Sequence, residues 1–286
     1  MDLAFSILSS SLIFIIFKLF PRWNVDTFQA VISNYFVAFS CGLLLFNSYI
    51  PNGNQIIEII PLTSICGFLF ISLFIIMGLS AQINGVANTS VSVKMSLALS
   101  VILVMISTQQ TIGFLTLLPL FLAIFGVFLV SFSKEKTSLR SESWMLVVLF
   151  IGSAGLDLVL YASKAWWLPK GLHDGIFASF GFGLAGILGL FYLLIKRFRK
   201  ELSLDLKSWL AGILLGIPNY FSIYLLVKSY KSIDLKPQQI LAIANVGVVV
   251  LSALFGLFIF RESFSNRKVI GLVLCLLSLI LFIRLV

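Results

Sequence analysis

Residues Val86–Ile106 read VANTSVSVKMSLALSVILVMI, an apolar and hydroxylic run of bilayer length with a single charged residue, Lys94. Its length and composition predict a membrane-spanning helix, and the lysine predicts that the helix does more than fill hydrocarbon. On a wheel of 100° per residue, Ser90, Lys94 and Ala98 share one face, while Ser92, Ser96 and Ser100 form a row on another. Serines at this spacing favour close helix packing over ligand binding. For Lys94 two readings are open: a site facing an aqueous cavity, or a side chain that snorkels back to the headgroups.

The rest of the chain is of the same kind. Of 286 residues, 60% are hydrophobic and 11% charged, too little polar surface to clothe a soluble globule of this size. Breaking the apolar runs at charges, Asn, Pro and Gly gives ten expected spans, at Leu3–Phe20, Thr27–Phe46, Ile60–Ser80, Val86–Ile106, Thr111–Ser131, Trp144–Leu168, Ile176–Leu194, Trp209–Val227, Gln239–Phe260 and Val269–Leu285. The first lacks a basic leader and a small-residue cleavage site, so it is expected to stay as a span. The net charge of +9 lies mostly in short connections, where positive-inside bias and anionic headgroups account for it without nucleic acid. The connections after the odd-numbered spans are the more basic, which favours both termini outside.

Metal and nucleophile chemistry have little to build on. Cys41, Cys66 and Cys275 sit in apolar runs without ligand spacing, and His173, the only histidine, lies in a connection. No cofactor or metal is expected. GFGLAG at Gly181–Gly186 matches a dinucleotide fingerprint in letters alone, since no strand precedes it. Gly181, Ala185 and Gly189 instead form a small-residue stripe that invites a close neighbour.

A faint repeat runs through the chain. Ser11, Lys18 and Pro21 recur as Asp157, Lys164 and Pro169, with an offset of 146 for the first two, and Ser90 and Leu97 align with Gln238 and Asn245 at an offset of 148. These offsets predict two five-helix repeats, residues 1–133 and 144–286, joined by a charged linker at 134–143. Five is odd, so the second repeat enters from the opposite side, the inverted arrangement that builds alternating-access transporters. The expected fold is an all-α integral membrane protein of ten helices.

The end of the ninth span and the tenth, ANVGVVVLSALFGLFIFRESFSNRKVIGLVLCLLSLILFI, resembles EamA-like transporters of the drug/metabolite transporter superfamily. Glu262 ends the apolar helix, a short turn follows, and Gly271 opens the last helix. VKMSLALSV resembles the fourth helix of these proteins. The first repeat departs from the pattern: it has no glutamate matching Glu262, its fifth span begins QQTIGF, and a proline often found in the fourth helix is replaced around Ser100. The resemblance implies a permease for a small metabolite or amino acid, often an exporter, in the bacterial cytoplasmic membrane, with both termini inside.

The candidate binding residues follow from cost. Asp157 lies near the middle of its span, where a charge costs at least ~2.5–3.5 kcal/mol on insertion scales. Tyr161 and Lys164 share its face one and two turns on. Gln238 and Asn245 share a face of the ninth span with Ala242 and Val249, for a substrate or for helix packing. Lys94, Asp157, Tyr161, Lys164, Gln238 and Asn245 are therefore the candidate substrate-binding set. With Lys18 and Lys228 at the span margins, the cavity is expected to be cationic and to suit an anionic or zwitterionic solute bearing a carboxylate. The expected partners are that solute and the lipid bilayer, in a monomer or homodimer; the sequence names no coupling ion. A lipid-carrier flippase of the same fold is the alternative, and a membrane-embedded enzyme a less favoured one, for want of paired acids or histidine.

Overall fold

The computed structural model describes all residues except 47–50, 108, 110–113, 132–141, 163–173, 200–203, 233–236, 263–264 and 286. The described residues form ten helices and no strand: α1 Asp2–Leu19, α2 Thr27–Leu45, α3 Gly53–Ile83, α4 Val86–Ser107, α5 Phe114–Ser131, α6 Ser143–Ala162, α7 Asp174–Phe198, α8 Leu206–Ser232, α9 Pro237–Phe258 and α10 Asn266–Leu285. Seven of them, α1 to α4 and α6 to α8, contain stretches long and apolar enough to cross a bilayer. In α5 and α9 the described apolar stretches are shorter, Phe121–Val130 and Ile243–Phe258.

Local chemistry explains several helix starts. Asp26 accepts from the Gln29 N–H at 2.8 Å and caps α2. Asn52 and Gln55 exchange side-chain to backbone bonds of 3.0 and 3.1 Å, a reciprocal cap that starts α3 seven residues before the Ile60 expected from the sequence. The helix then runs on through Pro61. Asp205 accepts from the Ser208 hydroxyl at 2.6 Å and from the Lys207 and Ser208 N–H groups at the head of α8. The Ser208 hydroxyl bond holds the Asp205 carboxyl below its ordinary value.

Two compact units result. One comprises Met1–Leu19, Ile76–Asp157 and Phe221–Val286, and the other Phe20–Ile75 and Leu158–Tyr220. Each takes helices from both halves of the sequence. In the first, α9 packs on α1 and α4, and α10 on α5. Its core gathers Val91, Met95, Ala98, Val127, Phe150 and Val249. Gly126 and Gly271 let α5 and α10 touch: a Cβ on either would come within 3 Å of the other's carbonyl oxygen. The Ser278 hydroxyl donates to the Pro119 carbonyl oxygen at 2.6 Å across the same interface.

In the second unit, α2 packs on α7, and Tyr35 stands in an aromatic cluster with Phe70, Phe74 and Phe182. The Tyr35 hydroxyl donates to the Phe70 carbonyl oxygen at 2.6 Å. The small-residue stripe of α7 does what its pattern predicts, with Gly181 and Ala185 set against Phe70 and Gly67 of α3 and Gly189 against Ile71 and Ile32. A polar seam joins α2 to α8: the Asp205 N–H donates to Gln29 at 3.0 Å, Ser33 to the Trp209 carbonyl oxygen at 2.8 Å, and Asn219 to Asn34 at 3.1 Å.

Gly212 is the closest approach in that seam, where a Cβ would run into the Ala30 carbonyl oxygen. Gly155, on α6, has no such neighbour within 4 Å. Gly212→Ala is expected to lower stability by about 1–3 kcal/mol through overpacking. Gly155→Ala should be neutral or slightly stabilising. Melting of the purified protein in detergent distinguishes the two, and equal midpoints would contradict the packing described.

Candidate functional site

Two residues of the sequence-derived set lie within electrostatic reach of one another in the first unit, Lys94 on α4 and Asp157 on α6. Their charges attract one another. A third side chain joins them: the Ser100 hydroxyl lies 2.7 Å from Asp157 Oδ2 and 2.9 Å from the Ser96 carbonyl oxygen, so its one proton is shared between these two acceptors. Asp157 sits among protein atoms yet is exposed at its surface, and Lys94 is half-buried. The arrangement is a cluster of a cation, a carboxylate and a hydroxyl. It offers an acceptor to an ammonium group and a donor to a carboxylate.

The serine row of α4 thus serves more than packing. Ser92, Ser96 and Ser100 are all buried. Ser96 turns its hydroxyl back to the Val93 carbonyl oxygen, while Ser100, two turns beyond Ser92, reaches across to α6. Reading the sequence by helix faces had not singled out Ser100 as a partner for Asp157. The signal was indirect: a mid-span carboxylate needs a donor, and only the tertiary arrangement says which hydroxyl supplies it.

The other candidates stand apart from this pair or lie outside the described residues. Asn245 is buried on α9. The approach of Ala87 to Gly256 sets the register of α4 against antiparallel α9, and eleven residues along it Asn245 is near the level of Ala98, between Lys94 and Ser100 in height. Gln238 falls in the first turn of α9 and Tyr161 in the last turn of α6, with side chains outside the described residues; Lys164 and His173 lie outside them entirely. At the margins, the Lys18 ammonium donates to the Gln82 carbonyl oxygen at 2.9 Å, and Lys228 pairs with Asp2 at 3.5 Å.

Among the described residues no cluster of three His, Cys, Asp or Glu side chains could hold a metal ion. The three cysteines are free thiols on α2, α3 and α10.

An all-helical chain with several bilayer-length apolar helices and charges gathered on facing helices is a multi-pass membrane protein. Residues 144–284 match the profile of the EamA-like transporter family, which belongs to the drug/metabolite transporter superfamily. This is a family of membrane transporters of small solutes rather than of enzymes. The chain is also 25% identical, over 289 aligned residues, to an uncharacterized protein of Haemophilus influenzae (strain ATCC 51907 / DSM 11121 / KW20 / Rd), a match covering 96% of this chain and 94% of the relative.

The Ser100 bond and the buried Ser92 hydroxyl, which has no partner among the described residues, make a matched test. Ser100→Ala is expected to cost about 0.5–1.5 kcal/mol, read as a drop in the unfolding midpoint in detergent. Ser92→Ala is expected to leave the midpoint unchanged or raise it. The reverse order would show that Asp157 does not depend on Ser100.

Proposed function

We propose that the protein is a permease of the bacterial cytoplasmic membrane. It moves a small amino-acid-like or other carboxylate-bearing solute by alternating access between two inverted five-helix repeats, residues 1–133 and 144–286. The observation that carries this reading is the Lys94–Ser100–Asp157 cluster. Opposite charges at one place suit a zwitterion, whose carboxylate takes over the attraction of Lys94 and whose ammonium takes over that of Asp157. Asn245, Gln238, Tyr161 and Lys164 complete the candidate lining.

Helix pairing supports the repeat. Counting five helices on, α2 pairs with α7, α4 with α9 and α5 with α10, and all three pairs pack together. Other contacts recur with the halves exchanged. Ser100 of α4 meets Asp157 of α6, as Gly247 of α9 meets Ile7 of α1. Gly67 of α3 meets Ala185 of α7, as Gly212 of α8 meets Ala30 of α2. Even the turns agree: α4 and α9 are each followed by a residue in the left-handed region, Gln109 at φ 55° and Arg261 at φ 53°. An inverted pair of repeats produces such matched contacts, and it places a solute site near mid-bilayer.

Purified protein in liposomes, offered a panel of radiolabelled amino acids, dicarboxylates and a quaternary ammonium ion, is expected to transport a carboxylate-bearing solute. Transport of the quaternary ion with indifference to carboxylates would overturn the substrate reading. Lys94→Met keeps the apolar stem and removes the charge, so it should insert and melt like wild type while losing at least about tenfold in transport, the worth of one charge-assisted contact. Wild-type transport by Lys94→Met would shift the binding role to the Gln238 and Asn245 face.

A further inference from the structure

The turn between α9 and α10 carries a carboxylate that the substrate reading does not use. After α9 ends, the Ile259 and Phe260 N–H groups bond back to the Phe255 carbonyl oxygen, Arg261 takes its left-handed conformation, and the Glu262 N–H bonds the Gly256 carbonyl oxygen at 2.9 Å. The turn leaves the Glu262 side chain buried against the start of α4. There one carboxylate oxygen accepts from the Val86 N–H at 2.7 Å, and the other lies 3.5 Å from the Ala87 N.

α4 needs this acceptor from outside because it has no local cap. The residue before Val86 is Gly85, at φ 92°, which has no side chain to turn onto the first N–H groups. A carboxylate at that position also meets the positive end of the helix dipole. From the first turn of α10 the fully buried Lys268 brings its ammonium to 3.7 Å from Glu262 Oε2. Glycines clear the space on two sides, since a Cβ at Gly85 or Gly256 would come within 2.7 Å of a carboxylate oxygen. The start of α4, the end of α9 and the start of α10 thus converge on one side chain. The turn before α4 is tied as well: the Glu142 N–H donates to Asn84 Oδ1 at 3.0 Å, and Asn84 returns a bond to the Glu142 carbonyl oxygen at 3.2 Å.

We propose that Glu262 is a positioning residue for transport: it fixes the height and tilt of α4 against α9 and α10, and through α4 the place of Lys94 and Ser100 beside Asp157. The inference rests on the permease reading above. Lys94 stands eight residues from Val86, about 12 Å of helix rise, so a tilt at the pinned end is carried directly to the Lys94–Ser100–Asp157 cluster. The role belongs to the carboxylate and not to burial of the turn, because the same two oxygens serve α4 and α10 at once.

The test separates positioning from mere neutralisation of Lys268. Glu262→Gln alone leaves a buried ammonium opposite a neutral amide and should lower the melting temperature. The double variant Glu262→Gln with Lys268→Met removes both charges and should melt near wild type. In liposomes, with whichever amino acid or dicarboxylate of the panel the wild-type protein carries, the double variant is expected to raise KM about tenfold with the maximal rate within twofold. Amide exchange at Val86–Thr89 should quicken about tenfold, the loss of a charge-assisted bond. Gly256→Ala, which crowds the carboxylate without removing a charge, should raise KM in the same direction and decides the matter if the double variant does not fold. An unchanged KM in a well-folded variant overturns the proposal, whatever the exchange does. If wild-type liposomes carry nothing in the panel, the permease reading has failed; exchange then decides whether Glu262 pins α4, and an unchanged rate overturns that too.

Discussion

Hydrocarbon offers no hydrogen bonds, and the architecture follows from that lack. Each backbone N–H and C=O must find its partner within the protein, which restricts a chain this apolar to helices. Side-chain polarity obeys the same rule at every turn. Serines and threonines of α1, α3 and α4 bond carbonyl oxygens of their own helices, as Ser11 does to Ile7 and Thr63 to Ile59. Others reach a neighbour, as Ser6 does to the Ser222 carbonyl oxygen and Ser33 to that of Trp209. Prolines at 61, 119 and 218 are housed inside helices for the same reason, because nearby groups can engage the backbone they disturb.

Within that constraint several charged groups among the described residues serve helix ends. Asp26 and Asp205 are spent on helix starts, Lys18 on a helix end, and Glu262 on a helix start supplied from a distant turn. Lys94 and Asp157 cap no helix, and Asp157 takes its hydrogen bond from Ser100 of the neighbouring α4. Glycine does the complementary work. Without a hydrophobic force between helices in lipid, close approach must supply the attraction, and Gly126, Gly212 and Gly271 sit where two backbones nearly touch.

Much of this was legible in the sequence, and what was not has a common cause. Each expected span holds a helix because apolar length is a local property. The start of α3 was missed although its signal, Asn52 followed three residues later by Gln55, is equally local; the charge of Glu58 lies between that signal and Ile60, where the expected span begins. The small-residue stripe of α7 was read correctly because its spacing alone defines a face. For the site, Asp157 and Lys94 stood out as charges in apolar runs, but Ser100 was one of a row of serines until α6 was set beside α4. The cap of α4 comes from Glu262, 176 residues from Val86, and no window along the chain connects the two.

That distance bears on how the protein is made. Ribosomes deliver the chain in order, so α4 enters the membrane long before the turn that holds Glu262 has been synthesised. Until then the Val86 and Ala87 N–H groups must rely on water or lipid headgroups, and α5 lacks the α10 surface onto which Gly126 closes. The first compact unit draws on both ends of the chain, so it completes itself only as the final helix is inserted. Completion of this unit is in that sense a late event: α4 has α1 and α5 as early neighbours, but its capped start and the α5–α10 contact form only once α10 and the turn before it are in place.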